Sequence, residues 1–320
     1  MKGNFIYGIW LRRVYVQKHE YFKNQLKQFI LEHQIRYDEP MKNHTSFRVG
    51  GKAQILLLPA NIAQLTKAIK LCITCEIPYI IMGNGSNLLV SDNGIEGVVI
   101  KTSECLNEIK VYDTVIYCEA GVLLSRLSNV ALNHGLEGLE FAAGIPGTLG
   151  GAVVMNAGAY GGEMKQVITE TGYIDKTGSL QVVKGDAHRF GYRSSRFQGS
   201  NNVITYSKFQ LKHGDAQDIK AKIQDYNQRR KDKQPIEMPS AGSVFRRPQG
   251  YYAGKLIEDC GLKGYQIGGA KVSEKHCGFI VNCGNATAKD VIDLIGHIKS
   301  AVYERFGVVL QTEVKVVGRK

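Results

Sequence analysis

Apolar residues recur at three- and four-residue intervals through 22–35, where Phe22, Leu26, Phe29 and Ile30 share one face, and this spacing predicts an amphipathic helix. The same period predicts helices over 61–76, 122–134, 215–233, 252–260 and 288–306, the second of them closed by Gly135. Short apolar runs between turn residues predict strands at Gln54–Leu58, Pro78–Met82, Val98–Lys101 and Thr114–Glu119, then at 170–175, 180–184, 203–211, 278–282 and 308–317. In the last of these, alternation sets Leu310, Thr312, Val314 and Val316 on one face. Val309, Gln311, Glu313 and Lys315 take the other, which reads as the outward one. Helices and strands follow one another without a regular βαβ repeat, so an α+β fold is expected rather than a doubly wound sheet.

Glycine changes this picture. The chain of 320 residues holds 36 glycines, and they cluster instead of repeating with a period, which excludes a collagen-like chain. One cluster follows a predicted strand, Gly83-Asn84-Gly85-Ser86-Asn87-Leu88. The other is Gly144-Ile145-Pro146-Gly147-Thr148-Leu149-Gly150-Gly151, continuing to Asn156-Ala157-Gly158. Small residues let successive backbone N–H groups face an anion, and they let a flat ring lie close to the chain. Neither cluster is a Rossmann fingerprint, since Leu88 stands where the third glycine would be, and there is no Walker A loop. Two such loops, each beside apolar strands, point to an extended ligand lying between two subdomains.

Charge narrows the ligand class. The formal net charge is +12, yet the densest basic run, Arg229-Arg230-Lys231-Asp232-Lys233, closes a helix and contains no aromatic residue. A nucleic-acid groove interleaves bases with aromatic side chains, so a polyanionic small molecule fits better than nucleic acid. The seven cysteines are odd in number and sit mostly in apolar segments, as buried thiols of a reducing cytosol do. The Cys72-x-x-Cys75 pair has no second Cys/His pair near it, and the eight histidines show no metal-site spacing, so no metal is expected. No apolar run approaches the roughly 20 residues of a membrane span, and the first residues lack the order of a signal peptide. A cytoplasmic protein without membrane insertion is the expectation, and a monomer is the expected state.

Read in order, Thr45-Ser46-Phe47-Arg48-Val49-Gly50-Gly51, Gly83 to Leu89, Gly144-Ile145-Pro146-Gly147, Gly150-Gly151-Ala152, Met155 to Gly161, Tyr192-Arg193-x-Ser195, Ala241-Gly242-Ser243-Val244-Phe245 and Thr312-Glu313-Val314 closely resemble the MurB family of UDP-N-acetylenolpyruvoylglucosamine reductases. The resemblance runs from about residue 24 to residue 317. It implies a two-part FAD-binding domain of the vanillyl-alcohol-oxidase (PCMH) type, 22–105 and 106–212, and a C-terminal α+β substrate-binding domain, 213–320, after an N-terminal extension of residues 1–21. The third domain is short, like the family's second subtype.

The resemblance also implies site residues. Gly83, Asn84, Gly85, Ser86, Asn87 and Leu88 would cradle the pyrophosphate of non-covalent FAD. Gly144, Ile145, Gly147, Thr148, Gly150, Gly151, Asn156, Ala157 and Gly158 would line the rest. Arg193, Ser243 and Glu313 match the catalytic positions. Beyond the resemblance, Tyr192, Lys255 and Asn282 are candidate substrate contacts. NADPH would be the co-substrate and a UDP-sugar enolpyruvyl ether the substrate, in peptidoglycan precursor synthesis. The runner-up is another FAD-dependent oxidoreductase of the same fold. Oxidases of that kind often attach FAD through His or Cys, and the glycine-rich loops contain no histidine. Two positions depart from the family pattern, His188 and Cys277.

Overall fold

The structure, a computed structural model, describes residues 18–319. Helix α1 covers 18–26 and packs Phe22 and Leu26, both fully buried, against the first sheet. The helix predicted over 22–35 therefore stops at Leu26. Residues 27–30 turn, and Gln34 is pulled inward, its side chain accepting from Leu31 N–H (2.9 Å) and donating to Leu58 O (2.7 Å). These bonds let residue 35 open a strand, Ile35–Pro40, that periodicity had not shown. Residues 18–21, assigned to an N-terminal extension, belong to α1. The rest of that extension lies outside the described residues.

The first lobe is a four-stranded mixed sheet in the order Ile35–Pro40, Lys52–Leu57, Ile95–Lys101, Tyr79–Met82. The first pair is antiparallel and the others parallel, with helix α2 (Ile62–Thr74) supplying Leu65, Ala68, Ile69 and Cys72 to the core. Asn61 caps α2 by accepting from Gln64 N–H. Cys72 and Cys75 are both buried there, and burial pushes the Cys72 thiol up to about 12, so they act as packing groups.

The second lobe is a five-stranded antiparallel sheet, Leu180–Lys184, Ile168–Ile174, Val203–Gln210, Val115–Glu119 and Ile109–Tyr112. Helices α3 (Leu124–Asn133) and α4 (Leu149–Met155) cover it around Phe209, Leu139 and Val153. A long polar helix, α5 (Ala216–Lys233), then leads to a third core. That core is built from α6 (Ala253–Asp259), α7 (Ala288–Phe306) and a small sheet of Gln266–Ile267, Ala270–Val272 and Ile280–Asn282.

The third core is not closed on itself. Phe47, Val49 and Leu89 of the first lobe are buried in it. The last strand, Lys315–Val317, pairs in parallel with Leu88–Val90. The strand predicted over 308–317 is thus short. Its upstream part makes only one isolated bridge, Thr312 to Phe245. Among the described residues no helix is long and apolar enough to cross a membrane.

Candidate active site

The two glycine loops meet. An added Cβ at Gly83 would lie 2.0 Å from Thr148 Oγ1, and one at Gly147 would lie 3.6 Å from Ser86 Oγ. Asn84 donates to Pro146 O at 3.0 Å, closing the contact from the other side. Gly85 takes φ +65°, and a Cβ there would sit 2.1 Å from His44 O, so only glycine serves. The backbone N–H groups of Asn84, Gly85, Ser86 and Asn87 find no acceptor among the described residues. Four successive unpaired amides on a tight, half-buried loop are the donor set an anion requires. A dinucleotide pyrophosphate fits this loop, and the small residues of 144–158 fit a ring lying against backbone. Gly83 to Leu88, with Gly144 to Gly151 and Asn156 to Gly158, would hold FAD.

Arg193 is aimed by its backbone. It takes φ +51° inside a turn closed by Gly191 N–H to Ser194 O (3.0 Å) and Ser194 N–H to Gly191 O (3.2 Å). Asn156, the left-handed residue (φ +44°) that ends α4, donates to Gly191 O at 3.1 Å and ties this turn to the second glycine segment. The guanidinium donates through Nη1 to Gly158 O (3.1 Å) and places Nε 3.6 Å from Glu313 Oε1.

Glu313 is brought in by the third core. Its N–H donates to Val244 O at 2.7 Å, which sets it across the backbone from the residue after Ser243. Its own carbonyl accepts from the Asn87 side chain at 3.2 Å, so the first glycine loop touches the same strand. The alternation read from the sequence assigned Glu313 to an outward face. Instead the chain between 308 and 314 lies between lobes, and the side chain is only 17% exposed. Burial pushes the carboxyl above the usual carboxylate range, against the opposing pull of the Arg193 and Arg246 cations.

Ser243 bridges Phe279 and its hydroxyl rests 3.2 Å from Phe245 O. Gly278 keeps this place open, since a Cβ there would lie 3.4 Å from Ser243 Oγ and 2.9 Å from His276 Cε1. Ser243 also opens onto a cavity of about 340 Å³ lined by Phe245, Arg247, Tyr252, Lys255, Lys263, Lys275, His276 and Cys277, among others. Arg247 stacks on Tyr252, 3.9 Å from the ring centroid. Burial holds His276 below the usual imidazole range and raises the Cys277 thiol.

The structure sorts the expected residues. Arg193 and Glu313 meet directly, with Ser243 on the adjoining backbone. Lys255 lines the cavity, paired with Asp259 at 2.6 Å. Tyr192 is 66% exposed beside Arg193. Asn282 is not brought to the cleft. It is 4% exposed, its amide donates to Phe47 O (3.0 Å), and its Oδ1 accepts from Gly284 and Ala286 N–H. Every polar atom of that side chain is used inside the protein, as a tie between lobes. Two arginines were missed. Arg246 approaches Glu313, its buried Nε without a partner, and Arg247 lines the cavity. Period-two reading from Ser243 would have placed Phe245 and Arg247 on the serine's own face. His188, one of the two departures, is fully buried, with Nδ1 facing Gly185 O (2.8 Å) and Nε2 facing Thr171 Oγ1 (2.9 Å).

Comparison with known proteins agrees with this geometry. A family model described as "FAD binding domain" matches residues 53–184. The fold is shared with wild-type Phl p 4.0202, a glucose dehydrogenase, at TM-score 0.50 and 14% identity over 61% of this chain and 44% of that one. Fold and family model together define an FAD-binding protein of the vanillyl-alcohol-oxidase fold. A second model, "UDP-N-acetylenolpyruvoylglucosamine reductase, C-terminal domain", matches residues 234–317. The enzyme of that name from Caldanaerobacter subterraneus subsp. tengcongensis is 51% identical over 301 residues, 94% of this chain and 99% of its own. The Clostridium perfringens (strain SM101) enzyme is 49% identical over 93% of this chain and 98% of its own. The crystal structure of the Thermus caldophilus enzyme superposes at TM-score 0.75 with 35% identity, over 88% of this chain and 97% of that one. The chain belongs to the UDP-N-acetylenolpyruvoylglucosamine reductase family.

Proposed function

We infer that this chain reduces the enolpyruvyl ether of UDP-N-acetylglucosamine to UDP-N-acetylmuramate, with NADPH as reductant and FAD held non-covalently. The observation that carries the reading is the meeting of Arg193 and Glu313 at 3.6 Å, across the backbone from Ser243 and beside the first glycine loop. When bound, FAD would supply the hydride-transfer chemistry that links the reduced nicotinamide to the enolpyruvyl double bond.

The residues do the rest. As the terminal carbon gains hydrogen, negative charge develops on the neighbouring carbon and spreads into the carboxylate. The Arg193 guanidinium, fixed by Gly158 O, meets that carboxylate and favours the charge as it forms. Glu313, whose pKa burial raises, would hydrogen-bond the same oxygens in its protonated form. The Ser243 hydroxyl gives its proton to the carbon, a step open to a weak acid when the base in contact is strong. Arg246 adds a second cation next to Glu313. The basic cavity beside Ser243, with Arg247 and Lys255, takes the diphosphate of the UDP-sugar, and Tyr192 borders the entrance. Such an enzyme works in the cytoplasm, where UDP-sugars and NADPH are found, and its product feeds the cell wall that maintains shape and permits division.

The test is product identification. With NADPH and the enolpyruvyl ether, the protein should yield a UDP-sugar heavier by two hydrogens, one equivalent per NADPH consumed. NADPH oxidation that ignores the sugar and delivers peroxide from oxygen would contradict the reading and favour an oxidase.

A further inference from the structure

Behind the first glycine loop lies a charged cluster that takes no part in the chemistry above. His44 is 8% exposed and Lys101 7% exposed. The ring's Nε2 lies 2.7 Å from Glu39 Oε1 and its Nδ1 lies 3.1 Å from Lys101 Nζ. An ammonium only donates, so Nδ1 accepts from Lys101 and Nε2–H donates to Glu39. Lys101 also pairs with Glu104 at 2.5 Å, and Arg36 reaches Glu39 at 3.7 Å and Glu104 at 3.8 Å. The imidazole thus bridges a buried cation and a carboxylate, and both of its nitrogens are committed.

Both partners belong to the sheet that carries the loop. Glu39 lies on the strand Ile35–Pro40. Lys101 pairs with Met82, the residue just before Gly83. The backbone of the residue so pinned supports the loop. An added Cβ at Gly85 would lie 2.1 Å from His44 O, and Ser46 N–H donates to Gly85 O at 3.2 Å. The four unpaired amides of Asn84 to Asn87 follow from that support.

We propose that His44 is a positioning residue for the cofactor's pyrophosphate: its two side-chain hydrogen bonds fix the 44–46 segment against Gly85 and so hold the amides of 84–87 in their anion-binding arrangement. The inference rests on the assignment of the pyrophosphate to that loop. His44 touches neither cofactor nor substrate. Its effect appears only in the share of FAD affinity that comes from phosphate.

The experiment is titration of apoprotein with FAD and, in parallel, with riboflavin, which lacks both phosphates, plus ADP as competitor. His44→Phe fills the ring's volume without donor or acceptor. It should weaken FAD by about tenfold or more, the size of one hydrogen bond to a charged partner, weaken ADP alike, and leave riboflavin unchanged. His44→Gln, which offers one donor and one acceptor, should recover most of the loss. Should His44→Phe fail to fold, Glu39→Gln gives the same comparison with a smaller expected loss. FAD affinity unchanged in His44→Phe, equal weakening of FAD and riboflavin, or no recovery in His44→Gln would overturn the proposal. If the unaltered protein binds FAD no more tightly than riboflavin and ADP does not compete, the pyrophosphate assignment fails, and this inference with it.

Discussion

In the proposed reaction Glu313 and Ser243 divide the proton work, and each would leave its own kinetic trace. Burial raises the pKa of Glu313, so its proton-donating form is lost as pH rises through that raised value. Flavin reoxidation by substrate should therefore fall on the alkaline side, and Glu313→Gln, which keeps an N–H donor, should flatten that limb in a stopped-flow pH series. An unchanged limb in Glu313→Gln would assign it to another group. Ser243→Ala should leave flavin reduction by NADPH near normal while slowing reoxidation by about 10²–10⁴-fold, the usual range for a lost general acid. Equal loss in both half-reactions would remove Ser243 from the proton step. Both stand out in the sequence because their motifs occur in a fixed order. Arg246 does not, because its approach to Glu313 depends on a crossing between Phe245 and Thr312 that no local pattern announces. Asn282 misled for a related reason. An asparagine at a strand end reads as a ligand contact, whereas its partners, Phe47, Gly284 and Ala286, include one from another lobe.

Elements follow the same rule. Helices with a clear apolar stripe, α2 and α7, came out of the periodicity. The segment 22–35 did not, because Phe22, Leu26 and Ile30 keep helical spacing after the helix has ended, and the Gln34 side chain that redirects the chain has no periodic signature. The strand over 308–317 looked long because its residues alternate, yet its backbone pairs first with the 243–246 segment and then with Leu88–Val90. The two glycine loops were recognisable as loops, but their mutual contact was not. That contact makes a prediction. Gly83→Ala puts a Cβ 2.0 Å from Thr148 Oγ1, so the apoprotein should lose about 1–3 kcal/mol of stability. Thr148→Ala in the same chain leaves 3.1 Å to Cβ and should restore part of it. Denaturant melts of the two variants check this; a loss that Thr148→Ala does not relieve would place the strain elsewhere.

At the scale of the molecule, the third core is completed by the first. Phe47, Val49 and Leu89 fill it, Asn282 bonds to Phe47 O, and the C-terminal strand returns to Leu88–Val90 beside the first glycine loop. Asn282→Ala strands buried partners on both sides and should cost about 1–3 kcal/mol, seen as a lower denaturant midpoint. No change would mean that the tie carries little of the inter-lobe stability. The division into domains that the resemblance implies gives no sign of this interdependence, because packing between distant segments has no period.

In the proposed reaction one site passes electrons from NADPH to an enolpyruvyl sugar. Under anaerobic conditions, NADPH should bleach the flavin absorbance of the holoenzyme, and adding UDP-N-acetylglucosamine enolpyruvate should restore it rapidly, the chromophore reporting both half-reactions. Bleaching that persists after the sugar is added would contradict the claim, leaving a flavoprotein whose Arg193, Ser243 and Glu313 serve some other oxidant.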